Sequence, residues 1–275
     1  MNILITGATG FIGSNLIRSK YLKKKKIYCL YRNNKKKLFK SDNITWFKGS
    51  LNKNNKKIFK KIDLIIHLAS HSTNPPYDSL DKCLLWNLHA PFKFFNNAYY
   101  SGVKKFIVIG TGFEYGDACK KYTKIPPDAP LQPTTTYAVS KAASSLIFQQ
   151  WAYDKKVLFK YIRLFHVFGN NENNKRFWPS LKKSALNGDN FYMTKGEQVR
   201  DFTNVEDVVK HIIKETDFKG AFKGLPIVTN FGSGNILSLK KFAEIWWKKF
   251  NAKGKIYFGR VKYRKNELMR YVPKI

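Results

Sequence analysis

At 275 residues the chain is long enough for one large domain, or for one domain with a small lobe. Hydrophobic residues at 43% and aromatics at 16% exclude disorder as the general state. Three cysteines (Cys29, Cys83, Cys119) without a C-x-x-C pair exclude a disulfide framework or a zinc site, and Lys+Arg 51 against Asp+Glu 18 gives a net charge of +33.

That charge suits an acidic partner: nucleic acid, an anionic membrane or a phosphorylated substrate. The excess is mostly lysine, however, with eight Arg, and Asn is abundant too. A Lys/Asn-rich surface spread along the chain is also what codon bias gives, and the charge is read that way. Met1–Thr6 enters an apolar run directly, without a basic leader or cleavage site. Apolar runs stay far below the roughly 20 residues of a membrane span. The expectation is a soluble, cytoplasmic protein.

In chain order, β-type runs are predicted at Asn2–Thr6, Ile27–Arg32, Ile44–Gly49, Asp63–Ala69, Lys105–Thr111 and Phe159–Val167. Helical stretches at Phe11–Leu22, Leu80–Tyr100 and Tyr137–Tyr153 lie between them. Such alternation, with near-continuous apolar strands, predicts an α/β fold: a Rossmann-type doubly wound parallel sheet covered on both faces. The Asn/Gly-rich stretch Gly169–Asn174 breaks the rhythm. We expect a dinucleotide-binding domain over 1–168, with segments at about 203–232 returning to it. Residues 169–275 are expected to be mainly a small lobe. A further strand at Pro226–Asn230 and a helix at Leu239–Phe250 follow, and Lys23–Lys26 and Lys35–Lys37 read as solvated loop charges.

The first strand runs into Gly7-Ala8-Thr9-Gly10-Phe11-Ile12-Gly13 and then a helix. Gly7 allows the tight turn, Gly10 lets backbone approach a pyrophosphate, and Gly13 lets the helix pack on the strand, with the anion at the positive end of the helix. The second strand ends Cys29-Leu30-Tyr31-Arg32, with no acid before Asp42 to hold the ribose hydroxyls of NAD. Arg32 offers a planar fork for a 2′-phosphate. NADP is therefore the expected cofactor, with NAD as the alternative.

Fifteen tyrosines and 43 lysines give about two Tyr-x-x-x-Lys matches by accident, so the bare pattern carries little. Four occur: Tyr21/Lys25, Tyr31/Lys35, Tyr100/Lys104 and Tyr137/Lys141. The last opens a small-residue helix following the strand that ends at Thr111. Spacing of four residues puts Tyr137 and Lys141 on one helix face. The ammonium is then expected to draw the Tyr137 pKa down from about 10.

With this glycine loop and this Tyr/Lys pair, the chain resembles the extended short-chain dehydrogenase/reductase family, in its NAD-dependent nucleotide-sugar epimerase/dehydratase branch. The likeness covers nearly the whole chain. It includes Asp63-Leu64-Ile65-Ile66-His67-Leu68-Ala69, Asn87, Thr111 at the family's catalytic Ser/Thr, Glu114-Tyr115-Gly116, and Arg200-Asp201-Phe202-Thr203 through Asp207-Val208. The resemblance implies a catalytic Thr111–Tyr137–Lys141 set. It implies a cofactor site of Gly7, Thr9, Gly10, Phe11, Ile12, Gly13, Arg32, Leu68, Ala69 and Asn87, completed by Tyr137 and Lys141. Thr111, Arg200 and, in Tyr263-Arg264-Lys265-Asn266-Glu267, Arg264 would bind a nucleotide-diphosphate sugar in a substrate-binding C-terminal lobe. A homodimer through Leu80–Tyr100 and Tyr137–Tyr153 is also implied.

Departures from the family narrow the reaction. Its 4,6-dehydratases carry Asp-Glu directly after the catalytic Thr, where this chain has Gly112-Phe113, and Glu114 comes one residue too late. His166 stands where Asn is common; His67 reads as structural, and His71 lies just past its strand. The chain also stops at Ile275, where family members usually continue for some helical turns, so it is expected to be naturally short or truncated. The expected function is NADPH reduction of a 4-keto-6-deoxy sugar nucleotide, in polysaccharide or deoxysugar synthesis. The alternative is a nucleotide-sugar 4-epimerase with tightly bound NAD. A remote alternative, carried by the charge alone, is a nucleic-acid-binding protein on the same scaffold, with steeply salt-dependent binding.

Overall fold

The computed structural model describes residues 1–32, 38–53, 56–264 and 267–275. The Lys35–Lys37 run, the lysine of the Tyr31/Lys35 pair, and Lys265 and Asn266 lie outside the described residues.

Seven parallel strands form the central sheet: β1 (Asn2–Thr6), β2 (Lys26–Tyr31), β3 (Ile44–Lys48), β4 (Leu64–His67), β5 (Lys105–Thr111), β6 (Leu158–Leu164) and, after other elements, β10 (Ile227–Phe231). Their order is β10-β6-β5-β4-β1-β2-β3. Each crossover carries the chain over one face, so the order reverses between β1 and β4 and leaves a crevice at the carboxyl ends of those strands. Helices α1 (Phe11–Arg18), α2 (Lys56–Phe59), α3 (Leu80–Leu84), α4 (Ala90–Tyr100) and α5 (Thr136–Asp154) are the connections among the first six strands.

Strand alternation sends successive side chains to opposite faces. Ile3, Ile5, Ile66 and Ile107 pack with Leu16 of α1 and with Val208 and Ile212, which belong to α7 (Val205–Lys214). Leu4, Ile65, Phe106 and Val108 face the other way, onto Phe94, Phe95, Phe148 and Trp151 of α4 and α5. Each such buried side chain contributes roughly 1.5–3 kcal/mol. The sheet is therefore covered on both faces, and its near-continuous apolar runs follow from that.

Three elements differ from the sequence reading. The first helix ends at Arg18, because Ser19 turns to extended backbone and its hydroxyl accepts the Tyr21 N–H of a short 3-10 turn. The single helix expected over Leu80–Tyr100 is α3 and α4 joined through a wider π turn, Leu85–His89. The strand expected at Phe159–Val167 is broken after Leu164: β6 stays in the main sheet, while β7 (His166–Phe168) joins a second one.

That second sheet pairs β7, β9 (Val199–Asn204), β11 (Ile236–Ser238) and β13 (Arg270–Tyr271). With α6 (Phe177–Asn187), α8 (Leu239–Lys249) and the small pair β8 (Phe191–Tyr192) and β12 (Ile256–Tyr257), it builds an aromatic core of Phe168, Trp178, Phe202 and Phe242. Among the described residues no helix is long and apolar enough to cross a membrane.

Candidate functional site

The β1–α1 turn is shaped for close approach. Gly7 has φ of +74°, and a Cβ there would lie 2.6 Å from the Ala69 nitrogen. A Cβ on Gly13 would lie 2.2 Å from the Gly7 carbonyl oxygen. Gly10 precedes α1 without any side-chain cap, leaving the first N–H groups of the helix open to a ligand. A cleft of about 390 Å³ runs from this turn across the strand ends. Gly7, Thr9, Gly10, Phe11, Ile12, Gly13, Arg32, Leu68, Ala69, Thr111 and Tyr137 all line it.

Tyr137 is brought to the cleft by α5, whose start is fixed when the Thr135 hydroxyl accepts the Ala138 N–H at 3.2 Å. Thr111 comes from the end of β5, the strand beside β4 in the sheet. Burial pushes the Tyr137 phenol up to about 12; the Ser70 and Thr111 hydroxyls beside it act against that shift, and the Glu114 charge adds to it. This is opposite to the downward shift expected from Lys141. The reason is the burial of the phenol, and Lys141 does not offset it: its Nζ is buried too and donates to the Ile109 carbonyl at 2.8 Å. Burial lowers its own pKa. Tyr77 stacks on Tyr137, with ring centroids 5.9 Å apart.

Glu114 is a second correction. The sequence places it one residue too late to match the dehydratases' paired carboxylates, and the structure buries it wholly. Its Oε2 accepts Arg163 Nε at 2.7 Å, and its Oε1 accepts the Thr111 N–H at 2.8 Å and the Tyr161 hydroxyl at 2.8 Å. Together with the Thr111 hydroxyl it makes a capping box for the 3-10 turn Gly112–Tyr115. Glu114 thus holds Thr111 from behind rather than facing the cleft.

Four residues expected at the site do not line the cleft. Lys141 lies behind it. Asn87, in the π turn, accepts the His71 N–H at 2.7 Å and donates to the Ser140 hydroxyl at 2.9 Å, tying the β4 loop to α5. Arg200 is committed to Glu267 at 2.9 Å. Arg264 is exposed and near enough to act on the Tyr77 phenol. His67 is structural: it shares a 2.8 Å hydrogen bond with Thr6, and burial, aided by Lys141, pushes its pKa down to about 3. His166 is likewise held neutral, pushed to about 3 by burial and by Arg176 and Arg200. His71 lines the cleft with its Nε2 3.1 Å from Asp78.

Sequence reasoning missed Ser70, Glu172 and Arg176, which line the cleft. Ser70 directly follows the β4 segment and had a positional signal. Arg176 Nε lies 3.0 Å from Glu172, and its Nη1 donates to Asn74 at 3.0 Å. These two come from the loop after the break at Gly169, where no periodicity guides a reading. Of the other Tyr/Lys pairs, Tyr21 and Tyr100 are exposed, whereas Tyr31 lines the cleft and packs edge-on against Trp46.

A switch-point cleft with a glycine turn at one end and Thr111 and Tyr137 along it defines a dinucleotide-binding protein of the Rossmann class. Residues 3–218 match the NAD dependent epimerase/dehydratase family, and the chain belongs to that family. It is 26% identical over 274 residues to the dTDP-4-dehydro-6-deoxyglucose reductase of Escherichia coli, covering 93% of this chain and 84% of that one. It is also 26% identical over 229 residues to the dTDP-D-glucose 4,6-dehydratase of Mus musculus, covering 76% of this chain and 62% of that enzyme's length. In fold it superposes on the UDP-N-acetylglucosamine 4-epimerase from Methanobrevibacter ruminantium M1, solved with UDP-N-acetylmuramic acid. The TM-score is 0.89 at 22% identity, over 100% of this chain and 89% of that one. Its relatives are thus sugar-nucleotide reductases, dehydratases and epimerases, and the chain is an enzyme of that kind.

Proposed function

We propose that the protein reduces a nucleotide-diphosphate keto-sugar, most simply a 4-keto-6-deoxy sugar nucleotide, with NADPH. The observation that carries this reading is the meeting of Tyr137, Thr111 and the glycine turn in one cleft. The glycine turn fits a dinucleotide, because the space a Cβ would need there is taken by backbone. When bound, NADPH supplies the hydride to the carbonyl carbon. Thr111 holds the carbonyl oxygen, and Tyr137 delivers its proton to that oxygen, so the ketone ends as an alcohol. Lys141 stays behind the phenol, its Nζ on the Ile109 carbonyl.

Arg32 lines the cleft at the end of β2, with its guanidinium over the Trp86 ring at 5.7 Å, and no carboxylate of the described cleft residues stands beside it. That arrangement suits a 2′-phosphate. With Arg200 engaged by Glu267 and Arg176 by Glu172, Arg264, exposed near Tyr77, is the cation assigned to the substrate diphosphate. Elimination of water is disfavoured in this reading: Gly112 has no side chain, and Glu114 is locked to Arg163. The 169–275 region, apart from α7 and β10 on the main sheet, is assigned as the substrate lobe. Exposed Leu146 and Ile147 on α5 and Leu80 and Leu85 nearby are assigned to a homodimer contact.

Purified protein with a panel of 4-keto-6-deoxy sugar nucleotides, given NADPH and NADH in parallel, tests the reading. Consumption of NADPH matched one for one by a deoxysugar product supports it. Interconversion of a UDP-hexose pair with NAD retained and no net consumption overturns it in favour of the 4-epimerase.

A further inference from the structure

The loop after β4 carries a histidine that the proposed chemistry leaves unused. His71 lines the cleft with 29% of its side chain exposed, so its ring is within reach of a ligand. Its Nε2 lies 3.1 Å from Asp78 Oδ2. The other oxygen, Oδ1, accepts the Ser79 N–H at 2.9 Å and lies 3.2 Å from Lys82 Nζ. An ionised carboxylate has no proton to give, so this contact places the imidazole proton on Nε2. Neutral His71 then keeps a bare lone pair on Nδ1, which has no partner among the described residues.

The His71–Asp78 pair is held in register with Tyr137. Asn87 accepts the His71 N–H at 2.7 Å, donates to the His71 carbonyl at 3.2 Å, and also donates to Ser140 on α5. The Asp78 carbonyl accepts the hydroxyl of Thr136, the residue before Tyr137, at 2.7 Å. The Asp78 N–H donates to the Ser72 hydroxyl at 2.8 Å, which closes the loop on itself. Tyr77, between these anchors, stacks on the Tyr137 ring 12° from parallel. Ring and phenol thus stand on one connected wall, and a ligand whose carbonyl oxygen meets Tyr137 runs along it. A lone pair can only accept: a phosphate offers it no proton, whereas a hydroxyl does.

We propose that His71 is a specificity-determining residue of the cleft: its Nδ1 accepts a hydrogen bond from a hydroxyl of the substrate sugar, and Asp78 fixes the ring for that contact. This deepens the reductase reading and rests on it for the substrate. A hydroxyl of the nicotinamide ribose has the same chemistry, and the test separates the two. Asp78 acts through His71.

Nitrogen NMR of the His71 ring, assigned by the loss of its signals in His71→Phe, tests this at about pH 8, where imidazole is ordinarily neutral. Wild-type protein receives NADP alone, then NADP with a 4-keto-6-deoxy sugar nucleotide, a pair that cannot turn over. The proton is expected on Nε2 in the free protein, with an Nδ1 signal that moves to lower shift when the sugar nucleotide is added and not before. In initial rates, His71→Phe raises KM for the sugar nucleotide by about fivefold to tenfold and leaves KM for NADPH unchanged. An Nδ1 that moves with NADP alone, that moves with neither ligand, or that carries the proton in the free protein overturns the proposal. So does a KM for the sugar nucleotide equal to wild type. If the protein interconverts a UDP-hexose pair without consuming NADPH, the reductase reading fails, and the same spectra taken with that UDP-hexose still decide the His71 contact.

Discussion

Glu114 and Arg163 form a 2.7 Å ion pair, both side chains buried, with the same carboxylate accepting the Thr111 backbone N–H. The guanidinium is satisfied on every side: Nη1 donates to the Tyr115 hydroxyl and the Pro127 carbonyl, and Nη2 to the Ser145 hydroxyl. Removing one partner of such a pair strands the other charge in the interior. Arg163→Met is expected to destabilise the protein by about 3–5 kcal/mol, measured by urea unfolding. A change below about 1 kcal/mol would mean that the pair does not hold the β5 end in place.

The proposed preference for NADPH rests on Arg32. Replacing it with glutamate removes the cation and restores the carboxylate that NAD sites place near the ribose hydroxyls. KM for NADPH should rise by at least about tenfold, the worth of a charged hydrogen bond, while KM for NADH falls. Parallel initial-rate measurements with both cofactors check this. Unchanged preference would remove Arg32 from the site.

The glycine turn permits a sharper expectation. Gly13→Ala puts a methyl group 2.2 Å from the Gly7 carbonyl oxygen, on backbone that cannot move without opening the turn. Dinucleotide binding measured by calorimetry should be lost or weakened by more than about tenfold, while the chain still folds. Wild-type affinity would show that α1 can pack at a greater distance.

Glu172 makes stability depend on pH. Burial, opposed by Arg176, pushes its carboxyl from 4.5 up to about 7, and Oε2 has no partner among the described residues. The folded protein therefore keeps a proton that the unfolded chain releases at about 4.5. The linked stability is complete below that pH and is lost as pH rises through about 7. Glu172→Gln removes this dependence. Between those two pH values the variant should gain on wild type by up to about 3 kcal/mol. Parallel stability curves for the two proteins would place Glu172 in contact with water.

What the sequence made legible was local or periodic. The central strands stand out because β1, β4 and β5 are buried on both faces, and the glycine turn because strand, glycines and helix follow one another directly. Tyr137 was separable from three accidental Tyr/Lys pairs by its place after β5. Long-range pairings left no such trace: nothing near Thr111 announces that Glu114 folds beneath it onto Arg163. Arg200 and Lys141 were read by motif position, and the structure turns their charges to Glu267 and to the Ile109 carbonyl. The break between β6 and β7 was hidden because Phe165, where the chain changes sheets, is itself apolar and buried.

The central claim is net hydride delivery with Tyr137 as proton donor, and isotope tracing tests it most directly. NADPH carrying deuterium at the transferred position is mixed with a 4-keto-6-deoxy sugar nucleotide, and the product is analysed by mass spectrometry and NMR. We expect one deuterium on the former carbonyl carbon of every product molecule, one NADP formed per product, and a rate on the order of 10²–10⁴-fold lower in Tyr137→Phe. Product free of label, with a hexose pair interconverting while the cofactor is regenerated, would contradict the account and identify an epimerase.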